Sequence, residues 1–368
     1  MKRIIALFIL LATVFAFSSC KEDGYPKVES TEEESETVMT LSYEGEEYNV
    51  PYELYRAFFL TYKSVVDEGN DSAWTGANKA EYVEKIDEII IDRITDIYAI
   101  FHLAKKVGID AYSSTIDDAI NEYITASVDG GYIDSVSFEG FGGDYDKYLA
   151  SLKALFLNYS VQVLMIRYSL VYDALEKYYI GTPADEALGT EAVAGKLELN
   201  EEKVQAFYKS DECVRIIEAF FPSKYFTKAQ AEEKRRTIAD KTNDEAVINY
   251  IISTTTVVPS EVKNGKIVAR YSLDEQYYKD YTEAAFALEN FETSKIVEIK
   301  TGYDDGYAVL YKTLKSDTHY EECYSEKAYA YLQNEIGKLI NSTQESLKNT
   351  VQYTSVLENL DRSTVTMG

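Results

Sequence analysis

The sequence predicts an α+β protein: a mainly helical N-terminal lobe completed by a C-terminal helix, and a second lobe in which short strands alternate with helices. Three observations carry this. Residues 78–107 place Ile86, Ile90, Ile94, Ile97 and Phe101 three or four positions apart, the period of a single apolar helix stripe. From Cys213 the texture changes to brief apolar runs at 214–221, 263–271, 294–300 and 306–314, interleaved with helical patterns. A last helical stretch then covers 320–353.

The chain opens with Lys2 and Arg3, an uninterrupted apolar run over 4–17, and Phe17-Ser18-Ser19-Cys20. The run is too short to span a bilayer, so it reads as an export leader. The small residues before a single cysteine resemble the lipobox of bacterial lipoproteins, with Phe17 standing where leucine is usual. That resemblance implies that Cys20 is acylated and becomes the first residue of a chain anchored in the lipid bilayer. The alternative is an ordinary cleaved leader with Cys20 free. Residues 21–37 carry Glu29, Glu32, Glu33, Glu34 and Glu36, and are expected to form a solvated acidic tether.

Strands at 38–43 and 47–50 flank Glu44-Gly45-Glu46. Pro51 suits the first turn of a helix running to about residue 66, and Gly69, Asn70, Asp71 and Gly76 break it. Gly108 ends the helix 78–107 as a C-cap glycine. His102 lies one step off its stripe and reads as structural. Residues 114–128 form another helix, and 129–144, with Gly130, Gly131, Gly140, Gly142 and Gly143, read as a surface turn. One helix is expected over 145–179 and a break over 180–195. Asn200 caps the next helix, with Glu201 and Glu202 where the macrodipole favours them. In the second lobe, Thr227 and Gln230 form a capping-box pattern, and helices cover 244–252 and 275–288. The order is β-α-α-β-α-β-β. The domains so read are 1–20 leader, 21–37 tether, 38–212 helical lobe, 213–316 mixed lobe, and 317–368 folding back on the helical lobe. The seam of that return is expected at Tyr331, Leu332, Ile336, Leu339 and Ile340, with a frayed tail beyond.

Composition excludes several functions. A net charge of −26, about two units more negative once Lys2 and Arg3 are removed, repels phosphate backbones and argues against nucleic acid. The same field favours basic partners. The two histidines, His102 and His319, and the absence of Cys-x-x-Cys spacing leave no metal ligand set, and no cofactor motif is present.

Several strings in the second lobe resemble the parvulin family of peptidyl-prolyl isomerases. Glu283-Ala284-Ala285-Phe286-Ala287-Leu288, Glu292-Thr293-Ser294 and Gly302-Tyr303 are similar to its helix ending Ala-Phe-x-Leu, its Gly-Glu-x-Ser turn and its glycine-rich hairpin. Val50-Pro51-Tyr52-Glu53-Leu54-Tyr55 and Lys105-Lys106-Val107-Gly108-Ile109 resemble the helical part of SurA- and PrsA-type export foldases. The resemblance covers most of residues 38–350. It implies a parvulin-like lobe and, as partners, unfolded or newly exported polypeptides.

Parvulins twist the prolyl bond in an apolar groove with two hydrogen-bonded histidines on adjacent strands. Those positions align here with Glu218 and Ala308, and no histidine lies between His102 and His319. No catalytic residue is therefore expected, and isomerase activity should be weak or absent. The client-groove candidates are Ile216, Glu218, Phe220, Phe286 and Ala308. Strand alternation places Ile216, Glu218 and Phe220 on one face and Ile217, Ala219 and Phe221 on the other. Glu218 is either a partly solvated groove residue or a buried carboxylate needing a partner. Parvulin topology also makes Cys213 and Cys323 a candidate disulfide at the hinge. The rival reading is a surface lipoprotein binding a solute or glycan through tyrosines such as Tyr277, Tyr278 and Tyr281.

Overall fold

Residues 24–133, 136–182, 192–255, 259–271, 275–299, 305–322 and 324–367 are described in the computed structural model. The chain divides into two units, one made of Met1–Leu175 with Ile340–Gly368, the other of Glu176–Leu339. The fold class is α+β, as the sequence predicts.

The first unit is built on a hairpin of β1 (Thr37–Tyr43) and β2 (Glu46–Pro51). Glu44 and Gly45 take positive φ at its turn, which the glycine makes tolerable. On its other edge β1 pairs antiparallel with the short strand Gln352–Tyr353, with Met39 opposite Tyr353. Pro51 caps the helix Tyr52–Asp67, which packs on Lys79–Lys106. The predicted stripe is the buried seam of that second helix: Ile86, Ile90 and Ile94 are fully buried, with Ile97 and Phe101 close behind. Each such side chain removed from water contributes roughly 1.5–3 kcal/mol.

Four expectations need correction here. Residues 24–36 are pinned to the unit at Tyr25, Ser30 and Glu34 rather than running free, while Glu29, Glu32, Glu33 and Glu36 stay exposed. Tyr25 stacks on Tyr145 with ring centroids 4.9 Å apart and donates a hydrogen bond to Asp129. Ser30 bonds Glu53 and Ser160, both at 2.6 Å. A capping box at Thr31 starts the helical turn Glu32–Ser35, and Glu34 pairs with Arg56 at 2.6 Å. Burial opposes the ionisation of Glu34, but the Thr31 N–H, Arg56 and Asn158 together hold its carboxyl down at about 2. Apart from Thr31, these partners lie 22 to 130 residues away, out of reach of any local composition rule.

The single helix expected at 145–179 is two, Tyr145–Ala154 and Tyr159–Ile180, bent by 82°. Phe156 takes a left-handed φ in the break, and the Asn158 carboxamide accepts the Val161 N–H at 2.9 Å to cap the second helix. The turn after Asp129 contains a hairpin of β3 (Gly131–Ile133) and β4 (Val136–Phe138). A Cβ at Gly140 would come within 2.1 Å of the Gly130 nitrogen, so only glycine allows this crossing. The tail is not frayed: the turn Arg362–Thr364 carries Arg362 into the core, where it pairs with Asp87 at 3.3 Å and donates to the Leu357 carbonyl at 2.6 Å.

The second unit begins before the expected boundary at 213. A short pair, β5 (Gly181–Thr182) and β6 (Val193–Ala194), precedes the helix Glu201–Lys209, which Asn200 caps through the Glu202 N–H. The sheet comprises β7 (Cys213–Pro222), β8 (Lys266–Ala269), β9 (Val297–Ile299) and β10 (Gly306–Thr313), ordered β8-β7-β10-β9 and antiparallel throughout. Helices Lys228–Ala239, Asp244–Thr254 and the short Pro259–Asn264 lie between β7 and β8, and Glu275–Ala287 lies between β8 and β9. The third short helix was not anticipated. Thr227 and Gln230 form the reciprocal capping box.

Strand alternation in β7 separates two cores. Val214 and Ile216 pack with Tyr281, Ala285, Leu288, Ala308 and Leu310, whereas Ile217, Ala219 and Phe221 pack with Ala231, Ile238, Val247 and Ile251. A third cluster joins Val204, Phe207, Tyr208, Cys213 and Ala269 to Tyr320, Tyr331 and Leu332. Tyr331 and Leu332, expected on the seam with the helical lobe, thus pack within the sheet-bearing unit, which is why it extends over Glu176–Leu339. Ile336 and Ile340 are buried, but Leu339 is exposed. The C-terminal helix is Tyr324–Lys348, shorter than expected and preceded by Asp317–Glu322.

Candidate functional site

The predicted site lies on the two central strands. Register pairs Glu218 with Leu310 and Phe220 with Ala308, so Glu218 and Ala308 are diagonal neighbours on one face. The structure therefore brings Ile216, Glu218, Phe220 and Ala308 together as alternation requires. It does not leave them open. Ile216 and Ala308 are fully buried beneath Tyr281, Ala285 and Leu288, so neither can touch a client directly. Phe220 is half-buried against Gly306, where a Cβ would come within 2.6 Å of the phenyl ring. Phe286 is half-buried, with the Arg270 guanidinium 4.3 Å from its ring centroid.

Glu218 is a largely buried, partnered carboxylate, its side chain 12% exposed. It pairs with Lys266 across the β7–β8 edge and accepts a hydrogen bond from the Tyr281 hydroxyl at 3.0 Å. The partners lie 48 and 63 residues after Glu218, and nothing in the local sequence shows them. Tyr281 is thereby committed to the core, not to an aromatic binding platform. The side chains of Tyr277 and Tyr278 lie outside the described residues.

Of the cysteines, Cys20 and Cys323 lie outside the described residues, so the candidate disulfide is not seen from both ends. Cys213 is a buried free thiol whose Sγ faces the Phe207 carbonyl at 3.5 Å. Burial pushes it up to about 11, although Lys315 opposes the shift, so it is a poor nucleophile.

Both histidines are buried and hydrogen-bonded. His102 lies between the Tyr48 hydroxyl at 2.9 Å and the Glu44 carboxylate at 3.3 Å. His319 shares a 2.9 Å hydrogen bond with the Tyr208 hydroxyl, and burial followed by the charges of Arg215 and Lys327 pushes it down to about 4. Fully buried Lys327 donates to the His319 carbonyl at 2.7 Å, with its ammonium over the Tyr208 ring. No group of three metal-ligating side chains occurs among the described residues.

A depression of about 440 Å³ lined by Thr242, Asn243, Asp244, Glu245 and Phe291 has no counterpart among the residues singled out from the sequence. Phe291 is 53% exposed and holds a left-handed φ, fixed by its N–H on the Lys312 carbonyl at 2.7 Å. Its position next to the Glu292-Thr293-Ser294 string was the only local signal.

No family profile and no curated protein matches the chain. Among solved structures it is similar to PrsA from Bacillus subtilis at 16% identity and a TM-score of 0.23, covering 74% of this chain and 87% of that one. It is also similar to foldase protein PrsA from Streptococcus pneumoniae at 16% identity and a TM-score of 0.22, covering 84% and 92%. Foldase protein PrsA from Lactococcus lactis gives 13% identity and a TM-score of 0.24, covering 90% and 100%. At TM-scores this low, the functional reading rests on this chain's own residues.

Proposed function

We propose that this chain is a membrane-anchored, extracytoplasmic foldase or chaperone of parvulin type that assists exported polypeptides, with weak or no isomerase activity. The observation that carries the reading is the face of β7 and β10. The adjacency of antiparallel β7 and β10, and the helix Glu275–Ala287 with Leu288 just after it, support the resemblance read from the sequence, in which Glu218 and Ala308 stand at the two histidine positions.

The chemistry explains why activity should be lost. Rotation about a peptide bond meets a resonance barrier of ~18–20 kcal/mol. Lowering it requires an open apolar groove and neutral donors around the twisted amide. Here the equivalent face is closed by Tyr281 and Leu288 and holds a carboxylate paired with a lysine. Binding does not need that groove. Exposed Tyr225 and Phe291, with the half-buried Phe220 and Phe286, offer apolar contact to unfolded segments, and the acidic surface favours basic ones. Acylation of Cys20 would hold the protein where exported chains emerge.

Two assays test this. The full protein should suppress aggregation of a reduced model substrate at stoichiometric amounts, and a protease-coupled tetrapeptide assay should return the uncatalysed isomerisation rate. No suppression refutes the chaperone reading, and a rate far above the uncatalysed one refutes weak or absent isomerase activity.

A further inference from the structure

We propose that the surface of the first unit around Tyr25, Asp129 and Tyr145 is a membrane-facing surface, held against the headgroups of a phospholipid bilayer. The inference rests on the reading of Cys20 as the acylated residue and adds an orientation to it.

The chain is clamped almost immediately after that cysteine. Tyr25 stacks on Tyr145, and its hydroxyl bonds Asp129 and, at 3.5 Å, the Gly143 carbonyl. The Tyr145 hydroxyl in turn donates to the Pro26 carbonyl at 2.7 Å. Five residues on, Ser30 is fixed to Glu53 and Ser160, and Glu34 to Arg56. Three residues, Lys21, Glu22 and Asp23, separate Cys20 from Gly24. Covalent geometry limits four Cα steps to about 14 Å. A free tether ending at residue 37 would instead reach roughly 60 Å and impose no orientation.

The surface so placed suits a headgroup layer. The β3–β4 hairpin that follows Asp129 presents Tyr132 at 79% exposure, and a tyrosine with an apolar ring and polar tip partitions to membrane interfaces. Two carboxylates of this surface are partnered, Asp144 with Lys147 at 3.0 Å and Asp129 with the Tyr25 hydroxyl, and Lys147, two residues along the helix from Tyr145, keeps its side chain 71% exposed as a labelling position. Acyl chains followed by so short a span keep this side of the first unit within about 14 Å of the anchor, which favours its facing the lipid.

The test uses the full acylated protein in phosphatidylcholine vesicles, in a Cys323→Ser background, with a fluorophore on Lys147→Cys and a nitroxide quencher on the lipid headgroup. Quenching should be strong, and should fall by roughly half or more when a Gly/Ser spacer of about fifteen residues is inserted between Asp23 and Gly24. The double variant Tyr25→Ala, Ser30→Ala, which releases the clamp without adding length, should also reduce quenching, with an unchanged far-ultraviolet circular dichroism spectrum. Equal quenching with and without the spacer, in protein shown by intact mass to be acylated, overturns the orientation and leaves the anchor standing. Protein whose mass shows no acyl group at Cys20 overturns the anchor, and the orientation with it.

Discussion

The Tyr281 hydroxyl donates a hydrogen bond to Glu218 at 3.0 Å, tying the helix Glu275–Ala287 to the central strand β7. Lys266 completes the arrangement from the neighbouring strand. Removing the buried donor leaves a carboxylate short of a partner. Tyr281→Phe should therefore cost about 1–2 kcal/mol in denaturant unfolding. Lys266→Met, whose ammonium is more than half exposed, should cost less than about 1 kcal/mol. The reverse ranking would show that Glu218 depends on the ion pair and not on the tyrosine.

A second expectation concerns the tail. Arg362 and Asp87 are both buried, and Tyr55 also donates to Asp87, at 2.6 Å. Burial raises the Asp87 carboxyl even with these partners present. Arg362→Ala would strand that carboxylate and free the Leu357 and Leu360 carbonyls. We expect a loss of about 3 kcal/mol or more, read from urea unfolding of the first unit.

Acid should act through His319. Its folded value near 4 lies below the ordinary value of 6.5, so the folded state holds it neutral. The stability this contributes is complete above pH 6.5 and is lost as pH falls from there toward 4. His319→Gln keeps an acceptor for Tyr208 without the titration. The difference in melting temperature between the native protein and this variant should be nearly constant above pH 7, and should shift in the variant's favour between pH 6.5 and 4. A pH-independent difference would exclude His319 as a titrating group.

Cys213 should resist modification in the folded protein. Iodoacetamide, followed by peptide mass mapping, should leave it unmodified under native conditions at pH 8 and label it fully in denaturant. Rapid native labelling would contradict the buried, pushed-up thiol.

Much of this architecture is legible in local patterns. The isoleucine stripe from Ile86 to Ile97, the Thr227–Gln230 capping box and the two-faced alternation of β7 all follow from periodicities of 3.6 and 2 within one element. What remained hidden depends on side chains far apart in sequence. Glu34 looks like one more solvated carboxylate of its run until Arg56 and Asn158 meet it. Glu218 looks like a groove residue until Lys266 and Tyr281 close on it. The break at Phe156 depends on one left-handed residue and one asparagine cap, a signal too small to interrupt a strong apolar pattern.

The pairing of β1 with Gln352–Tyr353 has a consequence for the order of assembly. The first unit draws on residues far apart in the sequence, so its sheet cannot be completed until Gln352–Tyr353 has been synthesised and delivered. During that interval β1 has an open edge, the kind of exposed backbone on which aggregation begins. A protein proposed to shelter incomplete chains thus passes through the same vulnerable condition as the chains it is proposed to shelter, from the emergence of β1 to that of Tyr353.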